Sequence, residues 1–113
     1  MLHSVNFLHR DVKPENILAG LHDPESIYLI DLGLAVHYKD ENTGEHIPNL
    51  NRGKFSGNFM FSSLHAVRGK TSSRRDDIEA AMYLLIFWLN QGALPWSNFA
   101  TPLANLSESL YER

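Results

Sequence analysis

Within the stretch His9-Arg10-Asp11-Val12-Lys13-Pro14-Glu15-Asn16, a carboxylate, an ammonium and an amide (Asp11, Lys13 and Asn16) fall within six positions. A second carboxylate, Asp31, arrives fifteen residues after Asn16, behind the apolar run Ile27-Tyr28-Leu29-Ile30 and ahead of Leu32-Gly33. These groups suit the handling of a nucleotide phosphate with its magnesium. Asp11 can accept a hydroxyl proton and Lys13 can neutralise phosphate charge, while Asn16 and Asp31 offer the oxygen ligands that a hard cation prefers.

Each member has an ordinary reading when taken alone. Asp11 would be a loop aspartate bonding to nearby backbone, Lys13 a solvated lysine and Asn16 a turn residue. Asp31-Leu32-Gly33 is by itself a common turn. The specificity lies in the fixed offsets and in an Asp-x-Gly placed directly after a strand pattern. The six histidines are scattered without ligand spacing. His9 reads as a structural histidine packed under the loop, and His3, His22, His37, His46 and His65 as surface or packing residues. No Gly-x-Ser-x-Gly, paired-histidine or Walker-type sequence competes.

The elements that must position these groups can be sketched from pattern. Residues 5–8 are short and apolar and read as a strand or as the entry to the loop. Pro14 prevents a helix from running through the loop. Residues 15–19 and 27–30 read as two strands joined by the Gly-, Asp- and Pro-bearing turn 20–26. Such a hairpin would bring Asn16 and Asp31 close together. Residues 36–56 are polar and read as a long irregular loop, a kind usually functional or disordered. Phe59, Met60 and Phe61 return the chain to the core, and Thr71, Ser72 or Ser73 can cap a helix beginning just after them. That helix is expected from about Asp76 to Asn90, with acids in its first turn and Gly92 at its stop. Residues 80–89 are apolar on every face, so this helix is expected to be enclosed by protein. Residues 102–113 could begin another helix, with Leu103, Leu106 and Leu110 at helical spacing.

At 113 residues the chain is one domain at most, with a modest core. An apolar content of 43% argues against disorder. The net charge of −3 gives no reason to expect nucleic acid or an anionic membrane as partner. Charge is uneven: residues 1–75 carry nine Lys/Arg against eight Asp/Glu, whereas residues 76–113 carry only Arg113 against five acids. The absence of cysteine fits an intracellular protein, cytoplasmic or nuclear. No signal peptide is visible, and the ten-residue apolar run is too short for a bilayer.

His9 to Asn16 resembles the catalytic loop of eukaryotic protein kinases, and Asp31-Leu32-Gly33 resembles their metal-binding Asp-Phe-Gly. Lys13 is similar to the lysine of the serine/threonine class. Tyr28 to Ala35, Glu45-His46-Ile47-Pro48, Ser73-Arg74-Arg75-Asp76-Asp77 and Gly92-Ala93-Leu94-Pro95-Trp96 together resemble the casein kinase I family. Ser63-Leu64-His65 is similar to that family's Ser-Ile-Asn. The resemblance runs from about residue 3 to residue 99.

It implies an α+β fold: a kinase C-lobe fragment, mainly α, with a short β-hairpin carrying the catalytic and metal-binding loops. It implies Asp11 as catalytic base, Lys13 on the γ-phosphate of ATP, and Asn16 with Asp31 on Mg2+. The implied partners are ATP and a protein substrate, and Asp77 would anchor the catalytic-loop backbone. Three departures stand out. Leu32 replaces Phe. Asn58 stands where the family has a Thr bonding the catalytic Asp and Lys. Arg52 and Lys54 could supply one side of the family's anion pocket, but no Lys or Arg lies between Arg75 and Arg113 for the other. The preference for acidic or phosphorylated substrates is therefore not carried over.

The Gly-rich loop, N-lobe lysine, partner Glu, hinge and later C-lobe helices have no counterpart, so residues 1–113 are expected to be about the central third of a kinase domain. Alternatives are a kinase-like binding module without catalysis and a piece that does not fold alone.

Overall fold

The polypeptide enters through a single 3-10 turn, His3–Val5, closed by Asn6 in the left-handed region with φ 70°. The structure, a computed structural model, describes residues 2–99. Strand β1 (Phe7–Leu8) comes next, and a second 3-10 turn, Pro14–Asn16, has proline at its first position, where no backbone donor is needed. Strands β2 (Ile17–Ala19) and β3 (Ile27–Leu29) pair antiparallel, with Leu18 opposite Tyr28. The turn between them is closed by Gly20, whose N–H donates to Ser26 O; a Cβ there would stand 2.6 Å from Asp23 O. The hairpin expected from the sequence is thus formed.

Residues 36–56 differ from the expectation at their start. Val36–His37 form strand β4, which pairs antiparallel with β1, Leu8 opposite Val36 and Phe7 opposite His37. Among the described residues there are therefore two separate two-stranded sheets rather than one hairpin. The remainder of the segment is irregular, with isolated bridges Lys39 to His46 and Asn51 to Lys70. Helix α1 (Leu64–Val67) is a single turn capped by Ser63, whose Oγ accepts the Ala66 N–H.

Helix α2 (Arg74–Leu89) starts at Ser73, one of the three expected caps, through a reciprocal capping box with Asp76. Its end is closed by the Gly92 N–H donating to Phe87 O, with Gln91 and Gly92 both left-handed at φ 55° and 77°. The core joins Val12 of the loop to Phe61, to Ala80 and Leu84 of α2, and to Leu94. Phe61 meets Phe87 edge-on with ring centroids 5.2 Å apart, and the Trp96 Nε1–H donates to Met60 O at 2.6 Å.

The expectation that α2 is enclosed fails. Ile78, Met82, Leu85, Ile86, Trp88 and Leu89 are all exposed. The described residues supply packing partners for one stripe of the helix only, the stripe carrying Asp77, Ala80 and Leu84. The arrangement is a mixed α+β one, and no described helix is long and apolar enough to cross a membrane. The expected helix over residues 102–113 lies outside the described residues.

Candidate active site

The loop carrying Asp11 is fixed from below by one carboxylate. Asp77, in the first turn of α2 and almost fully buried, accepts the His9 N–H at 2.8 Å and the Arg10 N–H at 2.9 Å. His3 Nε2 approaches the same carboxylate at 2.8 Å. Arg10 is thereby held at φ 69°, a conformation that a residue with a Cβ adopts only when its surroundings impose it. The Arg10 side chain is spanned in turn, with Nε donating to Leu34 O at 2.7 Å.

His9 is buried and doubly bonded. Its Nδ1 accepts the Asp11 N–H, which leaves Nε2 as the protonated nitrogen donating to Ile30 O at 2.9 Å. One imidazole thus ties the Asp11 loop to the strand end that delivers Asp31. This agrees with the structural role expected for it.

The Asp11 carboxylate has both oxygens engaged. Oδ1 accepts from Asn58 Nδ2 at 3.1 Å, and Oδ2 accepts from Asn16 Nδ2 at 3.3 Å with Lys13 Nζ at 3.5 Å. Asn58 also donates to Val12 O, and its Oδ1 accepts the Phe61 N–H at 2.7 Å. An amide therefore bridges the loop and the core-returning segment. The close approach is permitted by Gly57, at φ 131°, where a Cβ would stand 2.8 Å from Arg10 O.

Asn16 is buried at the head of β2, and its Nδ2 also donates to Asp11 O at 2.8 Å. The donors being spent inward, Asn16 Oδ1 remains an unengaged acceptor among the described residues. Across the hairpin, the Ile30 N–H donates to Asn16 O at 2.8 Å, so Asp31 comes directly beside Asn16. Asp31 is itself left-handed at φ 63°, and its Oδ1 accepts the Gly33 N–H at 3.1 Å. The structure thus brings together all four sequence-singled residues. Among the described residues there is no group of three or more His, Cys, Asp or Glu able to hold a metal. What the site offers is the amide oxygen of Asn16 and the carboxylate of Asp31, a set compatible with a magnesium that takes its remaining ligands from phosphate and water.

Behind Arg10 lies a cavity of about 210 Å³ lined by Arg10, Arg52, Lys54, Ser56, Lys70 and Ser72, among others. Burial, and then the charge of Arg52, push the Arg10 guanidinium below its ordinary range, partly offset by Asp77. A second cavity, of about 670 Å³ and largely apolar, lies between the hairpin and α2, with Ile17, Leu29, Leu32 and Ile78 in its walls.

Residues 1–105 match the protein kinase domain family. The chain belongs to the protein kinase family. It is related to casein-kinase-1-like proteins: Casein kinase 1-like protein HD16 of Oryza sativa subsp. japonica is 46% identical over 102 residues. That match covers 87% of this chain and 14% of that protein, so the chain spans a small part of its relative's length.

Sequence reasoning missed His3, whose ring bonds the Asp77 anchor, and the pair Ser63 to Asp76, whose buried hydroxyl–carboxylate bond ties α1 to α2. Neither has a spacing signal, since both bonds join residues brought together only by tertiary folding. It also missed Lys70 as a neighbour of Arg52 and Lys54.

Proposed function

We propose that this chain carries the phosphoryl-transfer residues of a serine/threonine protein kinase of casein kinase I type. The reaction moves the γ-phosphate of ATP to a serine or threonine hydroxyl of a protein. The observation that carries this reading is the Asp11 carboxylate, held by Asn58, Asn16 and Lys13 on a loop bonded to Asp77. A carboxylate fixed in this way is oriented before substrate arrives.

In this reading Asp11 accepts the proton of the attacking hydroxyl as the oxygen–phosphorus bond forms and the bond to the β-phosphate oxygen breaks. Lys13 balances the negative charge gathering on the transferring group. Asn16 Oδ1 and Asp31 would hold magnesium, which when bound neutralises phosphate charge. His9 acts only by position: it holds the Asp11 loop and the Ile30 carbonyl in register.

A second reading, a kinase-like binding module without catalysis, is favoured by one observation. Asn58 Oδ1 accepts the Phe61 N–H, its Nδ2 donates to Asp11 and Val12, and Asn58 makes no described bond to Lys13. Lys13 then leans on Asp11 itself.

Assay of the protein that contains this chain separates the two. Asp11→Asn is expected to lower transfer of labelled γ-phosphate to a protein hydroxyl by about 10²- to 10⁴-fold. Unchanged transfer would remove Asp11 from the mechanism, and no transfer by the unsubstituted protein would favour the binding module. The isolated 113-residue chain, which has no Gly-rich loop, is expected to turn over no ATP.

A further inference from the structure

Beside the N-terminal end of α2 lies a polar groove of about 500 Å³ that the candidate active site does not use. His46, Asn49, His65, Lys70, Ser73 and Arg75 line it, and its described walls hold no Asp or Glu. It shares Lys70 with the cavity behind Arg10 but contains neither Arg10, Arg52 nor Lys54. Among the described residues, none of its side chains bonds Asp11, Asn16 or Asp31. Lys70 and Arg75 are both exposed, and the described ion pairs, His3–Asp77, Lys13–Asp11 and His37–Glu41, include neither. Two cations in a concave wall free of carboxylates favour an anionic ligand.

The two histidines give the groove a second property. His46 Nδ1 donates to Ile47 O at 2.7 Å, and His65 Nε2 donates to Thr71 O at 3.1 Å. In the neutral rings the other nitrogens, His46 Nε2 and His65 Nδ1, therefore carry lone pairs, and neither has a described partner. A lone pair repels a carboxylate, whereas a proton on the same nitrogen donates to it. Taking up that proton breaks no existing bond, because each ring already donates from its first nitrogen. An anion in the groove and protons on the two rings thus support each other.

The groups flanking the rings leave this coupling in place. Tyr38 packs against His46 with ring centroids 5.7 Å apart, and Lys39 is bridged to His46. Arg74 lies over the Tyr38 ring. Of the acids, Glu45 adjoins His46 in the chain and is exposed, and Asp76 is bonded to Ser63 and Ser73.

We propose that this groove binds an acidic peptide segment of a partner protein, and that binding takes up protons on His46 and His65. The groove has far more room than one small anion occupies, so successive carboxylates of one segment can meet Lys70, Arg75 and the two rings. No aromatic ring lines it for base stacking, and the chain's net charge is −3, which disfavours a nucleic acid. The site does not depend on whether this chain transfers phosphate.

Binding of a hexaglutamate peptide to the protein that contains this chain is measured by calorimetry at pH 8 and at pH 6. The glutamates stay ionised at both, whereas imidazole titrates between them. The affinity is expected to be about tenfold higher at pH 6. Lys70→Gln with Arg75→Gln is expected to weaken binding at both pH values. His46→Gln with His65→Gln is expected to bind as the unsubstituted protein does at pH 8, which also checks its folding, and to lose the gain at pH 6. Binding that the Lys70 and Arg75 changes leave intact, or a gain at pH 6 that survives in the histidine variant, overturns the proposal. Equal affinity for hexaglutamine or for inorganic phosphate overturns it as well. Tighter binding of a thymidine hexanucleotide through the same residues would assign the groove to nucleic acid instead.

Discussion

The two ends of α2 live in different physical circumstances. At its N-terminal end, polar groups are buried and nearly all are satisfied: Asp77 accepts two backbone N–H groups and meets His3, and Asp76 is bonded to Ser63 and Ser73. At its C-terminal end the residues are apolar, and many face outward: Leu85, Ile86 and Trp88 are about half exposed and Leu89 is 87% exposed. The hairpin repeats the second condition, with Leu18, Ile27, Tyr28 and Leu29 exposed. The polar end is complete in itself, because hydrogen bonds are short and are closed by groups nearby in space. The apolar end is not, because burial requires area that the described residues do not provide. The loop bearing Asp11 is attached to the complete end. Its geometry is therefore set by bonds rather than by the extent of the core.

That contrast can be broken at the anchor first. Asp77→Ala leaves the His9 and Arg10 N–H groups and the His3 ring without their acceptor, and it releases Arg10 from its left-handed conformation. A loss of about 4 kcal/mol in unfolding free energy is expected from urea denaturation. A loss below about 1 kcal/mol would mean that water replaces the carboxylate and that the loop is held by packing after all. The next test lies within the helix. Leu84 is buried at 2% exposure and Leu85, its neighbour, is at 49%. Leu84→Ala is expected to cost about 3 kcal/mol, and Leu85→Ala no more than about 0.5 kcal/mol. Similar losses at the two positions would show that the outward face is covered in solution, and that the contrast between the two ends belongs to this chain only without its neighbours.

Legibility in the sequence divides along the same line. The hairpin was legible because β-branched and aromatic residues flank a turn with Gly, Asp and Pro. The start of α2 was legible because Ser73 and Asp76 form a local capping box, whose bonds span three residues. Asp77 and Asn58 were singled out by resemblance, and the bonds they make to His9, Arg10 and Asp11 run through 68, 67 and 47 positions of chain. No spacing rule reaches that far. Strand β4 was hidden because two residues, Val36 and His37, cannot display alternation. Helix α1 was hidden because one turn cannot display a helical period. The mistaken expectation for α2 has a different origin. An apolar sequence states what a helix needs, not what surrounds it, so residues 80–89 were read as enclosed while half of them face outward.

The smallest effect tests the boundary between the two conditions. Tyr83 sits on α2 between them, its ring edge-on to Trp96 with centroids 5.0 Å apart, its hydroxyl donating to Glu79 at 2.6 Å. That hydrogen bond, with burial and the Glu79 charge adding to it, pushes the phenol up to about 12. The unfolded phenol titrates near its ordinary value of about 10. Because the folded value is the higher, the bond's contribution to stability is fully present below a pH of about 10 and is lost as pH rises through about 12. Titration of tyrosinate absorbance should show one component near 12 that disappears in Tyr83→Phe, and the stability difference between the two proteins should narrow across the same interval. A Tyr83 phenol that ionises near the ordinary value of about 10 would show that Glu79 turns to solvent. The polar, self-satisfied part of α2 would then end at Asp77, well before the point at Tyr83 to which the Glu79 bond now carries it.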